Sequence, residues 1–343
     1  MNIKEIAKEA NMSIATVSRV INHPDRVSLA TLEKVNRLIN KYGYTPNVIA
    51  RNLKTDSTQT IALLIPNISD SVYKDIVAGV ENIITSKKYN VILCNTKSDL
   101  EMEKNLVDMA MGRKVEGIIM VDAINEGDIT TRLDNAGIPV VYIGKRSASM
   151  NENRCYTDFR EASAALTKHL MSLKNSSIDL IMPEQPVEVA KQMIEGWRNI
   201  KGHAGAVHYC DDSIEAVYSL IEKLTKKNAL PDSVITKSEE QAFGIYKAAQ
   251  DCGIIIPDDL AVCCMTDSPA NAILSPPLTS IYVPATRLGM VAARLLFDSI
   301  DGISKNEHMP QEISMHSRLI IRKSCGNRKD IYEAFPSPEY QNK

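Results

Sequence analysis

Long apolar runs are missing from this 343-residue chain. No stretch reaches the eighteen or so consecutive apolar residues that a membrane-spanning helix needs, so no membrane partner is expected. The opening segment MNIKEIAKEANMS carries two acids and no apolar block, unlike a secretory signal; the expected location is cytoplasmic. Metal and disulfide spacings are missing too. The cysteines, Cys94, Cys155, Cys210, Cys252, Cys263, Cys264 and Cys325, are odd in number and form no C-x-x-C pair near histidines. They read as small buried groups in a reducing compartment rather than as a disulfide frame or zinc site. The six histidines, His23, His169, His203, His208, His308 and His316, show no ligand spacing. There is no G-x-S-x-G elbow, P-loop, H-E-x-x-H helix or G-x-G-x-x-G turn after the first strand, which argues against the enzyme classes that those motifs serve. No catalytic residue, metal or cofactor is expected.

What is present is ordinary for a soluble protein, with 44% hydrophobic and 24% charged residues. The length suits one large domain and a small one. The net charge of -2 hides an asymmetry. Residues 1–58 hold nine basic and five acidic side chains, whereas the remainder holds 31 basic and 37 acidic. A basic head on an acidic body fits nucleic-acid binding by the head.

The head reads as helices. Ile3, Ile6, Ala7 and Ala10 share one face, and Asn11-Met12-Ser13 interrupts the pattern. Ser13 can cap a second helix, Ile14 to Ile21, with Val17 and Val20 inward. A third helix starts at Ser28, with Leu32, Val35, Leu38 and Ile39 at core spacing, and ends at Gly43 before Pro46. Two short helices around a sharp turn suggest a helix-turn-helix unit. On periodicity alone the head is as compatible with a non-DNA role. The polar groups of the second helix sharpen the reading. Arg19 can present a bidentate fork to guanine in the major groove. Thr16, Ser18 and Asn22 can position on phosphates. Ile14 and Ala15, at the start of the helix, can touch thymine methyls.

The runs IKEIAKEANMSIATVSRVIN and VSLATLEKVNRLINKYGYTPNVIARNLKT resemble the DNA-binding head of the lactose-repressor/galactose-repressor family of bacterial regulators. The resemblance implies a helix-turn-helix domain over 1–46 and a hinge over 47–59. It places the base-choosing pair on Ile14 and Ala15, and the later arginine on Arg19. Asn47 can cap a short hinge helix, Val48 to Leu53, that is too short to be stable alone. In the family such hinges pair in the minor groove; Ala50 then falls at the hinge–hinge contact, and Leu53 at the leucine that levers a base step apart.

From residue 60 the pattern becomes alternating strand and helix: TIALLIP, SVYKDIVAGVENIITSKKY, NVILCN, EMEKNLVDMAMGRK, VEGIIMV and IPVVYI, then a second series from REASAALTKHLMSLK to LAVCCMTD. Such alternation makes parallel sheets covered by helices, with ligands at the carboxyl ends of the strands between two lobes. The body resembles the same family along its length and, more distantly, periplasmic sugar-binding proteins, through IALLIPNIS, AGIPVVYIG, IPDDLAV and SPPLTSIYVP. The fold class is therefore α/β: a three-helix head and hinge, then a two-lobed, periplasmic-binding-protein-like body with parallel sheets over 60–330. The family's three crossings imply a first lobe of about 60–157 and 284–312 and a second of about 158–283 and 313–330. Residues 331–343 read as a flexible polar tail.

The resemblance also implies an effector cleft, and here the chain departs from the family. The usual cleft arginine, three residues before the Gly196-Trp197 pair, is Met193. Ser238 and Glu239 replace an asparagine-aspartate pair. Thr266 replaces the first of two aspartates and Asp267 keeps the second, while Asp158 matches a cleft aspartate and Tyr73 faces the cleft by position. Losing an arginine removes five donors that would grip a sugar. A common monosaccharide or purine effector is not expected. Three readings stay open: a less polar, neutral or cationic small molecule, a corepressor protein acting on the body, or compensation by other residues. The expected partners are double-stranded operator DNA and a second copy of the chain, since two heads read two half-sites. The alternatives are a solute-binding protein or a sugar-metabolising α/β enzyme with no DNA role; specific DNA binding separates them from the first reading.

Overall fold

A computed structural model describes residues 2–22, 24–43, 57–144, 152–184, 188–303 and 310–327. The hinge positions Asn47, Ala50 and Leu53 and the tail 331–343 lie outside the described residues, as do the side chains of Asn22 and Ile303. The chain divides between Thr58 and Gln59 into two units.

In the first unit, Asn2 opens helix α1 (Ile3–Ala10) with a capping box: its side chain accepts from the Glu5 N–H, and Glu5 accepts from the Asn2 N–H. Asn11 ends α1 in the left-handed region at φ 54°. Ser13 Oγ accepts from the Thr16 N–H at 3.0 Å and starts α2 (Ile14–Asn22). A 3-10 turn, Pro24–Arg26, leads to α3 (Leu29–Tyr42), capped by Ser28 and closed by Gly43 at φ 57°. Ile6, Ala7, Ala10, Val17, Val20 and Val35 form the core, with Ile3, Leu32, Leu38 and Ile39 packed around it.

The second unit carries two six-stranded sheets among its described residues. The first is built from β1 (Thr60–Ile65), β2 (Asn90–Asn95), β3 (Ile118–Val121), β4 (Val140–Gly144), β5 (Asn153–Tyr156) and β11 (Glu312–Ser314), in the order β11-β5-β4-β3-β1-β2. All its pairings are parallel. Its connecting helices are α4 (Ser71–Lys87), α5 (Leu100–Gly112) and α6 (Glu126–Asn135). The returning helix α12 (Ala285–Ile303) packs on α4. Strand alternation sends Ile61, Leu63 and Ile65 into the cluster with α4 and α12, and Ala62 and Leu64 into the one with α5 and α6. Burial on both faces explains why β1 reads as a continuous apolar run.

The second sheet holds β6 (Ile178–Pro183), β7 (Val207–Cys210), β8 (Ser233–Thr236), β9 (Ala261–Cys264), β10 (Thr279–Tyr282) and β12 (Arg318–Ile320), in the order β12-β10-β9-β8-β6-β7. Around it lie α7 (Phe159–Ser172), α8 (Glu188–Arg198), α9 (Ile214–Lys226), α10 (Glu239–Cys252) and the short α11 (Pro269–Ile273). Five strands are parallel, but β12 joins β10 antiparallel. The chain enters β12 directly from β11 of the first sheet, with no helix between them. The chain passes between sheets at 157–158, 283–284 and 315–317. The last passage lies beyond 312 because β11 still pairs with β5. All seven cysteines are free thiols; Cys210 and Cys252 are partly exposed and the others buried.

Candidate nucleic-acid face and interlobe cleft

Helix α2 divides its side chains cleanly. Val17 and Val20 are buried in the head core, whereas Ala15 and Arg19 are exposed and Ile14 keeps 45% of its surface in solvent. Thr16 and Ser18 are partly exposed, and the Thr16 hydroxyl lies 2.9 Å from Ser13 Oγ. The exposed side of the helix thus carries both a large apolar side chain and a guanidinium.

In the body, a cavity of about 40 Å³ lies between the two lobes at the carboxyl ends of β3, β4 and β9. Its wall is mainly apolar, including Val72, Ile76, Val121, Ile143, Val189, Met193, Val283 and Leu288. Tyr73, Met193 and Thr266 of the expected cleft residues line it. Tyr73 donates its hydroxyl to Asp122 Oδ2 at 2.9 Å. Burial pushes the Asp122 carboxyl up to about 6, against the pull of the Tyr73 hydroxyl and the Lys237 ammonium. Burial and the neighbouring Asp122 together raise the Tyr73 phenol well above its ordinary value.

The remaining expected cleft residues have other engagements. Asp158 caps α7, accepting from the N–H groups of Arg160 and Glu161 at 2.8 and 3.2 Å. Trp197 is buried, and its indole N–H donates to Ile178 O at 3.0 Å. Its neighbour Gly196 lets α8 approach α7, since an added Cβ would stand 2.2 Å from Arg160 O. Asp267 is held in a buried ion pair with Arg322, 2.6 Å from Nη1, and accepts from Ser280 Oγ. Ser238 caps α10 and donates to Asp212 Oδ1. Glu239 is buried in the first turn of α10, and burial lifts its carboxyl to about 7. None of these five lines the cavity.

Sequence reasoning missed the groups that bring charge to the cleft: Asp70, Asp122, Asp212 and Lys237. Asp70 caps α4 from the first lobe, and Lys237 lies just past β8 in the second, yet Lys237 Nζ lies 3.2 Å from Asp70 Oδ2 and 3.2 Å from Asp212 Oδ2. The one available signal was position, since each lies just past a strand or just before a helix, where such folds place ligand contacts. Among the described residues no helix is long and apolar enough to cross a membrane, and no cluster of metal-ligating side chains occurs.

Two family models match the chain. One, for bacterial regulatory proteins of the lacI family, covers residues 2–47; the other, for a periplasmic binding protein-like domain, covers 167–325. Catabolite control protein A of Staphylococcus epidermidis is 31% identical over 302 residues, spanning 86% of this chain and 91% of that protein. The transcription regulator CcpA of Lactococcus lactis superposes with a TM-score of 0.66 at 26% identity, over 77% of this chain and 98% of that one. The lac repressor dimer bound to operator and an anti-inducer superposes at 0.81 over 95% and 99% of the two chains; at 20% identity it speaks for the fold alone.

Proposed function

Because the chain belongs to the lacI family of bacterial regulatory proteins, we propose that it acts in the cytoplasm as a homodimeric repressor whose paired heads read the two half-sites of a pseudopalindromic operator. It is a DNA-binding regulator and not an enzyme. The observation that carries the finer reading is the division of α2, with Val17 and Val20 in the core and Ile14, Ala15 and Arg19 outside. In this reading Arg19 forks onto a guanine, Ile14 and Ala15 meet thymine methyls, and Thr16, Ser18 and Asn22 hold phosphates. Asn47, Ala50 and Leu53 belong to a hinge that folds on DNA, with Leu53 wedged into the central step. The name of the 31%-identical relative supports control of catabolic genes.

The body's cleft is the regulatory element. Its lining puts Met193 where a sugar-gripping arginine is expected, among aliphatic side chains and the charged groups Asp70, Asp122 and Lys237, which supports a less polar, neutral or cationic small molecule or a corepressor protein over a sugar. The expected result for the head is specific. After an operator is selected from random duplexes, Arg19→Ala lowers affinity for it by about 1–3 kcal/mol and relaxes the preference at one base pair per half-site. Fluorescence anisotropy on selected and random duplexes decides this. Equal losses on both would remove Arg19 from base reading.

A further inference from the structure

Lys237 is fixed in the second lobe, where its backbone N–H donates to Ile181 O at 3.2 Å and to Gln241 Oε1 at 2.9 Å. Its ammonium pairs with Asp70 of the first lobe as well as with Asp212 of its own. Little of the bridge meets solvent: the Lys237 side chain is 11% exposed and that of Asp70 is 8%. Both anions are also held in place. Asp70 Oδ1 accepts from the Val72 N–H at 2.9 Å, and Asp212 accepts from Ser238. Burial alone would favour a neutral amine, but the attraction of the two carboxylates outweighs it and keeps Lys237 charged. Both ends of the bridge, Lys237 and Asp70, line the interlobe cavity.

We propose that Lys237 is the cleft's own occupant: its ammonium joins the lobes as a bound small molecule would, so the closed body, and operator binding that depends on it, requires no sugar effector. This deepens the regulatory reading of the cleft given above and rests on it. An effector acts only through its difference in affinity between body states. An intramolecular bridge supplies that difference at a fixed local concentration, independent of any ligand. A sugar that separated the ammonium from Asp70 would leave the Asp70 carboxylate buried without its cation, a loss that hydroxyl groups do not replace.

The test uses the full chain, with hydrogen exchange read in the segments 66–76 and 234–242 and operator affinity read in parallel. Lys237→Met keeps the length of the side chain and removes the bridge; Lys237→Arg keeps the charge. Lys237→Met is expected to exchange at least tenfold faster in both segments and to change operator affinity at least fivefold while leaving random-DNA affinity alone. Lys237→Arg and Asp70→Asn are expected to fall between it and the parent, since asparagine still caps α4. The parent's operator affinity is expected to stay constant in 10 mM glucose, a chosen probe concentration of about that order. Unchanged exchange in Lys237→Met overturns the bridge. Faster exchange with unchanged operator affinity overturns its regulatory role, as does a tenfold response of the parent to glucose. If the parent prefers no duplex over random DNA, it is the function reading that falls, while the exchange data still decide the bridge.

Discussion

At the scale of single residues, the buried acids of the body set its response to pH. Glu239 has its carboxyl lifted to about 7, first by burial, with the hydroxyls of Ser268 and Ser71 opposing and Glu240 and Asp70 adding to the rise. A carboxyl whose folded value lies above its unfolded one stabilises the fold while protonated. The contribution is whole below the unfolded value, about 4.5, and is lost as pH rises through about 7. Glu239→Gln is therefore expected to leave stability at pH 4.5 nearly unchanged and to raise it at pH 8 by about 1–3 kcal/mol. Urea unfolding at the two pH values checks this; an equal difference at both would show that ionisation of Glu239 is not the cause. Asp122, lifted to about 6, leaves a slope of the same sign in the variant. These roles were only partly legible in the sequence. Tyr73, Met193 and Thr266 could be placed at the cavity by their position in a family pattern. Asp267 could not be seen to be neutralised, because its partner Arg322 lies 55 residues further on and on another strand exit. The family pattern points to Asp158 as a cleft aspartate and to Ser238 as a departure from a cleft asparagine; both are helix caps, and short polar side chains just before a helix serve either purpose.

At the scale of elements, the first lobe is tied together by the crossing of α4 and α12. Gly79 and Gly289 meet there from opposite sides. A Cβ added to Gly79 would stand 1.9 Å from Thr286 O, and one added to Gly289 would stand 2.1 Å from Ile76 O. The two backbones touch, and no rotamer change can relieve such a clash. Gly289→Ala is expected to destabilise the body by about 2–3 kcal/mol, since the helices must separate and unpack Ile76, Val80 and Leu288. Gly112→Ala is the matched control: its Cβ meets nothing within 4 Å at the end of α5, and it is expected to be neutral or to stabilise by up to about 1 kcal/mol. Thermal unfolding of the two variants side by side decides the matter; equal effects would mean that the crossing tolerates side chains. The helices themselves were readable from their apolar period, and β1 to β4 from their continuous apolar runs. Strand β5 was not, because Asn153 and Arg154 are buried in it and break the apolar signal. Arg154 is neutralised by Glu126, 2.9 Å away across the lobe, a partnership that no local pattern announces.

At the scale of the molecule, charge and fold are partitioned along the same boundary. The chain divides between Thr58 and Gln59. On one side, nine basic residues face five acidic ones; on the other, 37 acidic residues outnumber 31 basic ones. Each unit also has its own hydrophobic core, the head's centred on Ile6, Val17, Val20 and Val35 and the body's spread over both sheets. A unit with a complete core folds without its neighbour. The body's negative balance repels a polyanion, and its charged cleft groups are engaged with one another. Residues 59–343 produced alone are therefore expected to keep the body's unfolding temperature within a few degrees, about the shift that 1 kcal/mol gives a domain of this size. They are expected to show no binding to duplex DNA even at about 50 mM salt, where non-specific phosphate contacts are strongest. The full chain is expected to bind random duplex there and to lose that binding steeply as salt rises, because its contacts come from the basic heads. Anisotropy across a salt series, with circular dichroism to follow folding, measures both. Salt-sensitive DNA binding by a folded 59–343 fragment would place nucleic-acid contacts on the body and sink the assignment of DNA reading to α2 and its neighbours.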